Sequence, residues 1–195
     1  PGEYYPVEED ERGTYILNSR DLCMIEHLAE LAEAGVGSFK IEGRAKSSYY
    51  VSVVTNAYRC AVDELMRNPE DYRPARWILD EVKKVSHRQY STGFFFGTPE
   101  AGQYYDNGGY QRSYDVVAVA EDYRDGRLIV TQRNKFAVGD TVEVLEPGKP
   151  PFVWTISAIY EDGAAVQAAC HPMAQLELPC PHPTAEGAIL RRAAE

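Results

Sequence analysis

The chain has 195 residues and weighs 21.9 kDa, enough for one large domain or two small ones. Apolar residues make up 44% and charged residues 26%, which argues for a buried core and against intrinsic disorder. Thirty acids against twenty bases leave a net charge of -10, which speaks against bulk binding to nucleic acid or anionic membrane and confines anion binding to a local pocket.

In chain order, Thr14, Tyr15, Ile16 and Leu17 read as a buried strand, with Asn18 and Ser19 as a helix cap. Leu22, Ile25, Leu28, Ala29 and Ala32 follow at helical spacing, and Gly35 and Gly37 stop that helix. A second short strand is expected over 38–41. Glu42, Gly43 and Arg44 then turn the chain, and Ser47 caps a helix carrying Tyr50, Val54, Ala57, Tyr58, Ala61 and Leu65 on one stripe. Asn68 and Pro69 end it. Pro74 opens another helix through Trp77, Ile78, Val82 and Val85. This order is that of the last two βα units of a larger parallel α/β structure.

Residues 93–112, rich in Gly, Tyr and Phe, read as a linker that packs by its aromatics. Strands are then expected at 116–119, 127–132, 141–145, 152–159, 165–168 and 188–191. Turn signals separate them at Asp125-Gly126, Gly139-Asp140, Pro147-Gly148 and Asp162-Gly163. Six short strands at that spacing suggest a small antiparallel β-barrel. The fold class is therefore α/β plus all-β, divided as 1–92, a linker at 93–112, and 113–195.

No run approaches the roughly 18 apolar residues of a membrane span. Pro1 opens neither a basic nor an apolar leader and is not an initiator Met, so the chain reads as a piece of something longer without a secretion signal. Cys23, Cys60, Cys170 and Cys180 show no CxxC spacing. They are expected to be free thiols in the reducing cytoplasm.

Four groups of residues carry candidate chemistry. Glu42, Arg44, Lys46 and Ser47 stand where a parallel strand is expected to end and a helix to begin, the rim on which α/β barrels do chemistry and bind anions. The bland alternative is a capped helix with a surface ion pair. Cys23 falls at the expected start of the first helix, which favours thiolate, with His27 one turn on; the alternative is a half-buried small residue. Cys170, His171, Cys180 and His182 invite a zinc reading, but their spacing is not that of a finger, and a surface loop is favoured. Residues 133–140, with Arg133 and Lys135, are read as a structural turn over an RNA contact because their surroundings are acidic. No GxSxG, HExxH, Walker or GxGxxG motif is present.

Two segments carry a specific resemblance. RGTYILNSRDLC (residues 12–23) and SFKIEGRAKSSYYV (residues 38–51) resemble segments of the peptidase family U32, also called collagenase-like proteases. NKFAVGD (residues 134–140), Leu178-Pro179 and Ile189 to Arg192 are similar to that family's C-terminal domain. The resemblance implies the closing part of a TIM-like barrel followed by a β-barrel like the second domain of translation elongation factors. Members act in oxygen-independent hydroxylation of RNA bases or ubiquinone precursors, although the family label says peptidase, and several hold an iron–sulfur cluster on four cysteines. By this resemblance Cys23 is one cluster ligand, the other three lying outside the chain.

Three functions stay open: part of an iron–sulfur hydroxylase of an RNA base, part of a peptidase, or a binding module without catalysis. In the first, Arg44 and Lys46 hold phosphate or carboxylate and Glu42 positions the substrate. Ser47, Tyr50 and Asn18 line the pocket. RNA or peptide is the expected partner, and two exposed βα units offer a face for a homodimer.

Overall fold

The structure is a computed structural model that describes residues 7–11, 13–16, 20–97 and 113–194. It opens on a hairpin of β1 (Val7–Asp10) and β2 (Gly13–Ile16). The strand expected around residue 14 is thus one arm of an antiparallel pair, not a parallel barrel strand, and Thr14 is exposed. Leu17, Asn18 and Ser19 lie outside the described residues.

The helix expected from Leu22 starts later. Asp21–Leu22 is a short strand, β3, paired in parallel with β4 (Tyr90–Ser91). Tertiary bonds override local propensity here: Asp21 N donates to Gln89 O at 3.1 Å and Cys23 N to Ser91 O at 3.0 Å. A single 3-10 turn, Ile25–His27, then leads into α1 (Leu28–Glu33). Residues 38–41 form no strand, because they have no ladder partner among the described residues; Phe39 and Lys40 are exposed.

Helix α2 (Ser48–Arg67) follows its sequence signals. Ser47 Oγ accepts from Tyr50 N at 3.2 Å, and Val54, Ala57, Ala61 and Leu65 are buried along one stripe. The helix stops at Asn68, ahead of Pro69. Helix α3 (Arg76–Glu81) is shorter than expected, with Val82 as its C-cap, yet Ile78, Val82 and Val85 are all buried. Of the expected linker over 93–112, the described part is a turn after β4 in which Phe94, Phe95 and Phe96 are 79%, 57% and 61% exposed. Residues 98–112 lie outside the described residues.

The second half is a large antiparallel sheet of half-barrel form. Its strands are β5 (Tyr114–Arg124), β6 (Arg127–Gln132), β8 (Thr141–Leu145), β9 (Phe152–Thr155), β10 (Ile159–Glu161), β11 (Ala164–Val166), β13 (Gln175–Pro179) and β14 (Ile189–Ala193). They lie in the order β11-β10-β13-β6-β5-β14-β8-β9, so β11 and β9 are edges of the ladder. A separate pair, β7 (Phe136–Ala137) with β12 (Ala168–Ala169), completes the set. Register shifts at Leu190/Arg191 and Ala120/Asp122 bend the central strands.

Asp125-Gly126 and Asp162-Gly163 make two-residue hairpins, with φ of 52° and 74° in the first and 51° and 79° in the second. Both central residues of such a turn need positive φ, which is why Asp-Gly stands there. The expected strands 152–159 and 165–168 each break in two, and β7 and β13 went unpredicted. Pro179 closes β13 without ending its pairing.

The halves meet through apolar and ionic contacts. Val53 and Val54 of α2, Val85 and Leu145 of β8 form one buried cluster. Beside it lies Arg191, fully buried on β14, whose guanidinium donates to Glu81 of α3, to Glu143 of β8 at 2.8 Å and to the Tyr49 hydroxyl at 3.2 Å. Lys84 bridges the same carboxylates, 3.0 Å from Glu81 and 2.8 Å from Glu143. Burial alone would raise the Glu143 carboxyl. The hydrogen bonds and charges of Lys84 and Arg191 outweigh it and hold that carboxyl below its usual range.

Burial also pushes the Tyr49 phenol up to about 12, against the opposing pull of Arg191. An unfolded phenol titrates near ~10. A raised folded value means this contribution to stability is complete below the unfolded value and lost as pH rises through the folded one. Unfolding midpoints in urea should therefore fall between about pH 10 and pH 12, and less steeply in Tyr49→Phe. Equal slopes for the two proteins would contradict this.

Candidate functional site

The turn before α2 brings several expected residues together. Lys46 Nζ donates to Ser86 O at 3.3 Å, lies 3.5 Å from Asp21 Oδ2 and sits over the Tyr50 ring, 5.0 Å from its centroid. Asp21 also accepts from Arg88, from its backbone N–H and its Nε–H, each at 3.1 Å. One carboxylate thus serves two cations and ties β3 to the segment after α3. Glu42 Oε1 accepts from Arg44 N at 2.8 Å and closes the exposed turn.

Glu42, Lys46 and Tyr50 line one cavity of about 520 Å³, together with Arg20, Phe39 and Phe95. Lys46 and Tyr50 also line a second groove of about 490 Å³, whose far wall is Tyr114, Val116 and Asn134 of the sheet. Both volumes are in the range of small-molecule sites, ~300–1,000 Å³. Ser47 lines the groove, but its hydroxyl is engaged as the α2 cap. Arg44 is exposed and lines neither space, while Asn18 lies outside the described residues.

Cys23 follows β3 rather than opening a helix, so no helix N-terminus faces its thiol and His27 is not one turn above it. His27 instead meets Glu30 at 3.1 Å and stacks at a tilt on Phe96. Cys23 Sγ lies 3.7 Å from the Tyr58 hydroxyl, which also accepts from Met24 N at 3.1 Å. Burial, reinforced by the neighbouring Cys23, pushes the Tyr58 phenol well up.

All four cysteines are free thiols. Burial raises those of Cys60 and Cys180, and Cys170 is exposed. His171 pairs with Glu161 at 3.0 Å, and Cys180 turns to the His182 carbonyl. Among the described residues no group of three or more His, Cys, Asp or Glu could hold a metal ion. Cys23 therefore has no set of companion ligands among the described residues. Nor does any Ser, Thr or Cys side chain hydrogen-bond an imidazole among them. No helix of the described residues is long and apolar enough to cross a membrane.

Asp21, Ser86 and Arg88 did not stand out in the sequence. Asp21 falls within the 12–23 segment without being singled out there, Ser86 and Arg88 lie in no motif, and only folding brings residue 21 against residues 86–91. Asp21 and Arg88 are an ordinary acid and base until β3 and β4 pair.

The model of peptidase family U32 matches residues 3–104, and that of the family's C-terminal domain matches residues 112–191. The chain belongs to peptidase family U32. It is similar to tRNA hydroxylation protein P1 of Bacillus subtilis, 36% identical over 84% of this chain and 40% of that protein. It is 38% identical to tRNA hydroxylation protein P of Escherichia coli, over 75% of this chain and 32% of that one. A collagenase of Porphyromonas gingivalis is 32% identical over 47% of this chain and 25% of its own length. The C-terminal domain of a Geobacillus thermoleovorans U32 peptidase matches 40% of this chain and 99% of its own, with 27% identity and a TM-score of 0.38. This U32 chain spans well under half the length of these curated relatives.

Proposed function

We propose that this U32 chain is part of a protein that hydroxylates a base in tRNA, in the cytoplasm, and that the cavity around Lys46 and Tyr50 receives the substrate. One observation carries the reading. Relatives named for tRNA hydroxylation are 36–38% identical over 75–84% of the chain. The cavity supports it, since it concentrates Arg20, Lys40, Lys46 and Arg88 in a chain whose net charge is -10.

In this reading Lys46 and Arg88 face phosphate or carboxylate, Asp21 holds both cations in place, and Glu42 orients the base. The parallel pairing of β3 with β4 supports taking the N-terminal half as the closing part of a TIM-like barrel. Replacing C–H by C–OH on a base is an oxidation, and an iron–sulfur cluster would supply the redox chemistry. Cys23 is the ligand this chain would offer, with the others outside the described residues.

A peptidase is the second reading, favoured by the family label and the collagenase relative. It lacks an activated nucleophile among the described residues. The deciding comparison is mass spectrometry of tRNA digests with and without the gene that carries this sequence. Loss of a hydroxylated nucleoside on deletion is expected. Unchanged nucleosides, together with gelatin cleavage by the purified protein, would replace this reading with the second.

A further inference from the structure

We infer that the cavity and the groove are two stations of one track for single-stranded RNA, which crosses the divide at Lys46 and Tyr50 and runs onto the β-sheet half. The inference rests on the tRNA reading above and deepens it. It names the face of the sheet that guides the strand and the side chains on which bases stack.

The two spaces share a wall. Lys46 and Tyr50 line both, so a ligand leaving the cavity past them enters the groove between Ser86 and Asn134. The charge of the lining runs against that of the chain. Four cations and two carboxylates line the cavity, and the groove carries Lys46 with no carboxylate, while the chain as a whole has thirty acids to twenty bases. One of the carboxylates, Asp21, is shared by Lys46 and Arg88. The Nε–H of Arg20, shielded from solvent at the cavity wall, meets no acceptor among the described residues. A phosphate or base oxygen would satisfy it.

Aromatic surface completes the pattern. Phe95 is 57% exposed and Phe39 36% exposed at the cavity, and Tyr50 presents its ring at the divide. Tyr114 stands on the far wall of the groove. Exposed aromatics interleaved with cations bind single strands, because bases stack on the rings while the backbone follows the charge. Each space has the volume of a site for one small molecule, so a splayed strand fits and a stacked duplex does not.

The test is fluorescence anisotropy with the full chain and a labelled 12-nucleotide single-stranded RNA (a probe of about one stem-loop's unpaired length). Phe95→Ala removes an exposed ring on the cavity side and should weaken binding about tenfold. Asn134→Glu places a carboxylate in the groove, on an exposed residue of the sheet half, and should weaken it about fivefold at low salt. Arg73→Glu, which makes a larger charge change at an exposed residue outside both spaces, should have a much smaller effect. Circular dichroism confirms that each variant is folded.

A loss with Phe95→Ala and none with Asn134→Glu would overturn the track while leaving the tRNA reading intact. So would equal losses with Asn134→Glu and Arg73→Glu. Binding of a gelatin peptide that Phe95→Ala weakens, with RNA unaffected, would overturn it in favour of a peptide channel. The tRNA reading itself fails separately, on unchanged nucleosides after gene deletion.

Discussion

Arg191→Met should destabilise the chain by about 3–5 kcal/mol, measured by urea denaturation at neutral pH. Arg191 is fully buried at the centre of the sheet, between β5 and β8, and its guanidinium reaches Glu81 on the helical half and Glu143 on the sheet half. Removing it leaves Glu81, only 1% exposed, with Lys84 as its remaining cation. Leaving a buried carboxylate with only part of its compensation costs far more than the pair contributes over an apolar substitute. Adding Glu81→Leu should therefore restore a substantial part of the loss. A loss below about 1 kcal/mol, the range of surface pairs, would mean the network does not hold the halves together.

The same network sets an acid dependence. The folded Glu143 carboxyl lies below its unfolded value, so its contribution is present above about pH 4.3 and lost as pH falls through the folded value. Arg191→Met removes one of its two cationic partners. The decline in stability on the acid side should be shallower in the variant.

Phe136→Ala should cost a similar ~3–5 kcal/mol by opening a cavity in the sheet half. Phe136 is 1% exposed and is among the largest wholly buried side chains. It sits on β7, which pairs with β12 outside the main ladder, so its side chain rather than its backbone ties that pair to the core shared by Val117, Trp154 and Leu176. Phe136→Leu, which keeps most of the volume, should cost under ~1.5 kcal/mol. Equal losses for the two would point to the β7–β12 pairing instead of the cavity. Comparing the denaturation midpoints of the two variants separates these cases.

Much of this was legible in residue order, and the reasons are local. Ser47 before an apolar stripe announced α2 because capping and periodicity both act within a few residues. The two Asp-Gly pairs announced hairpins because only certain residues tolerate positive φ in succession. Strands β6 and β8 were legible as short segments set between turn signals.

What the sequence concealed depends on partners distant in the chain. Asp21 and Leu22 look helical until Gln89 and Ser91 supply a parallel ladder. Residues 38–41 look like a strand because apolar Phe39 and Ile41 alternate with polar Ser38 and Lys40, but no neighbour pairs with them among the described residues. Of the expected rim set, Glu42, Lys46 and Tyr50 share a cavity, whereas exposed Arg44 is not part of its lining. Arg191 was legible as a strand residue, yet nothing in its neighbours signalled that two carboxylates from other elements would bury it.

The most direct test of the account is complementation of a strain lacking the gene, with tRNA digests read by mass spectrometry. The gene is restored as wild type or with Lys46→Met, and protein levels are matched by immunoblot. The account predicts that a nucleoside one oxygen heavier than its precursor disappears on deletion, returns with the wild type, and stays at least about tenfold reduced with Lys46→Met. Full restoration by Lys46→Met would contradict the assignment of the cavity. Persistence of the hydroxylated nucleoside in the deletion strain would contradict the proposed activity itself.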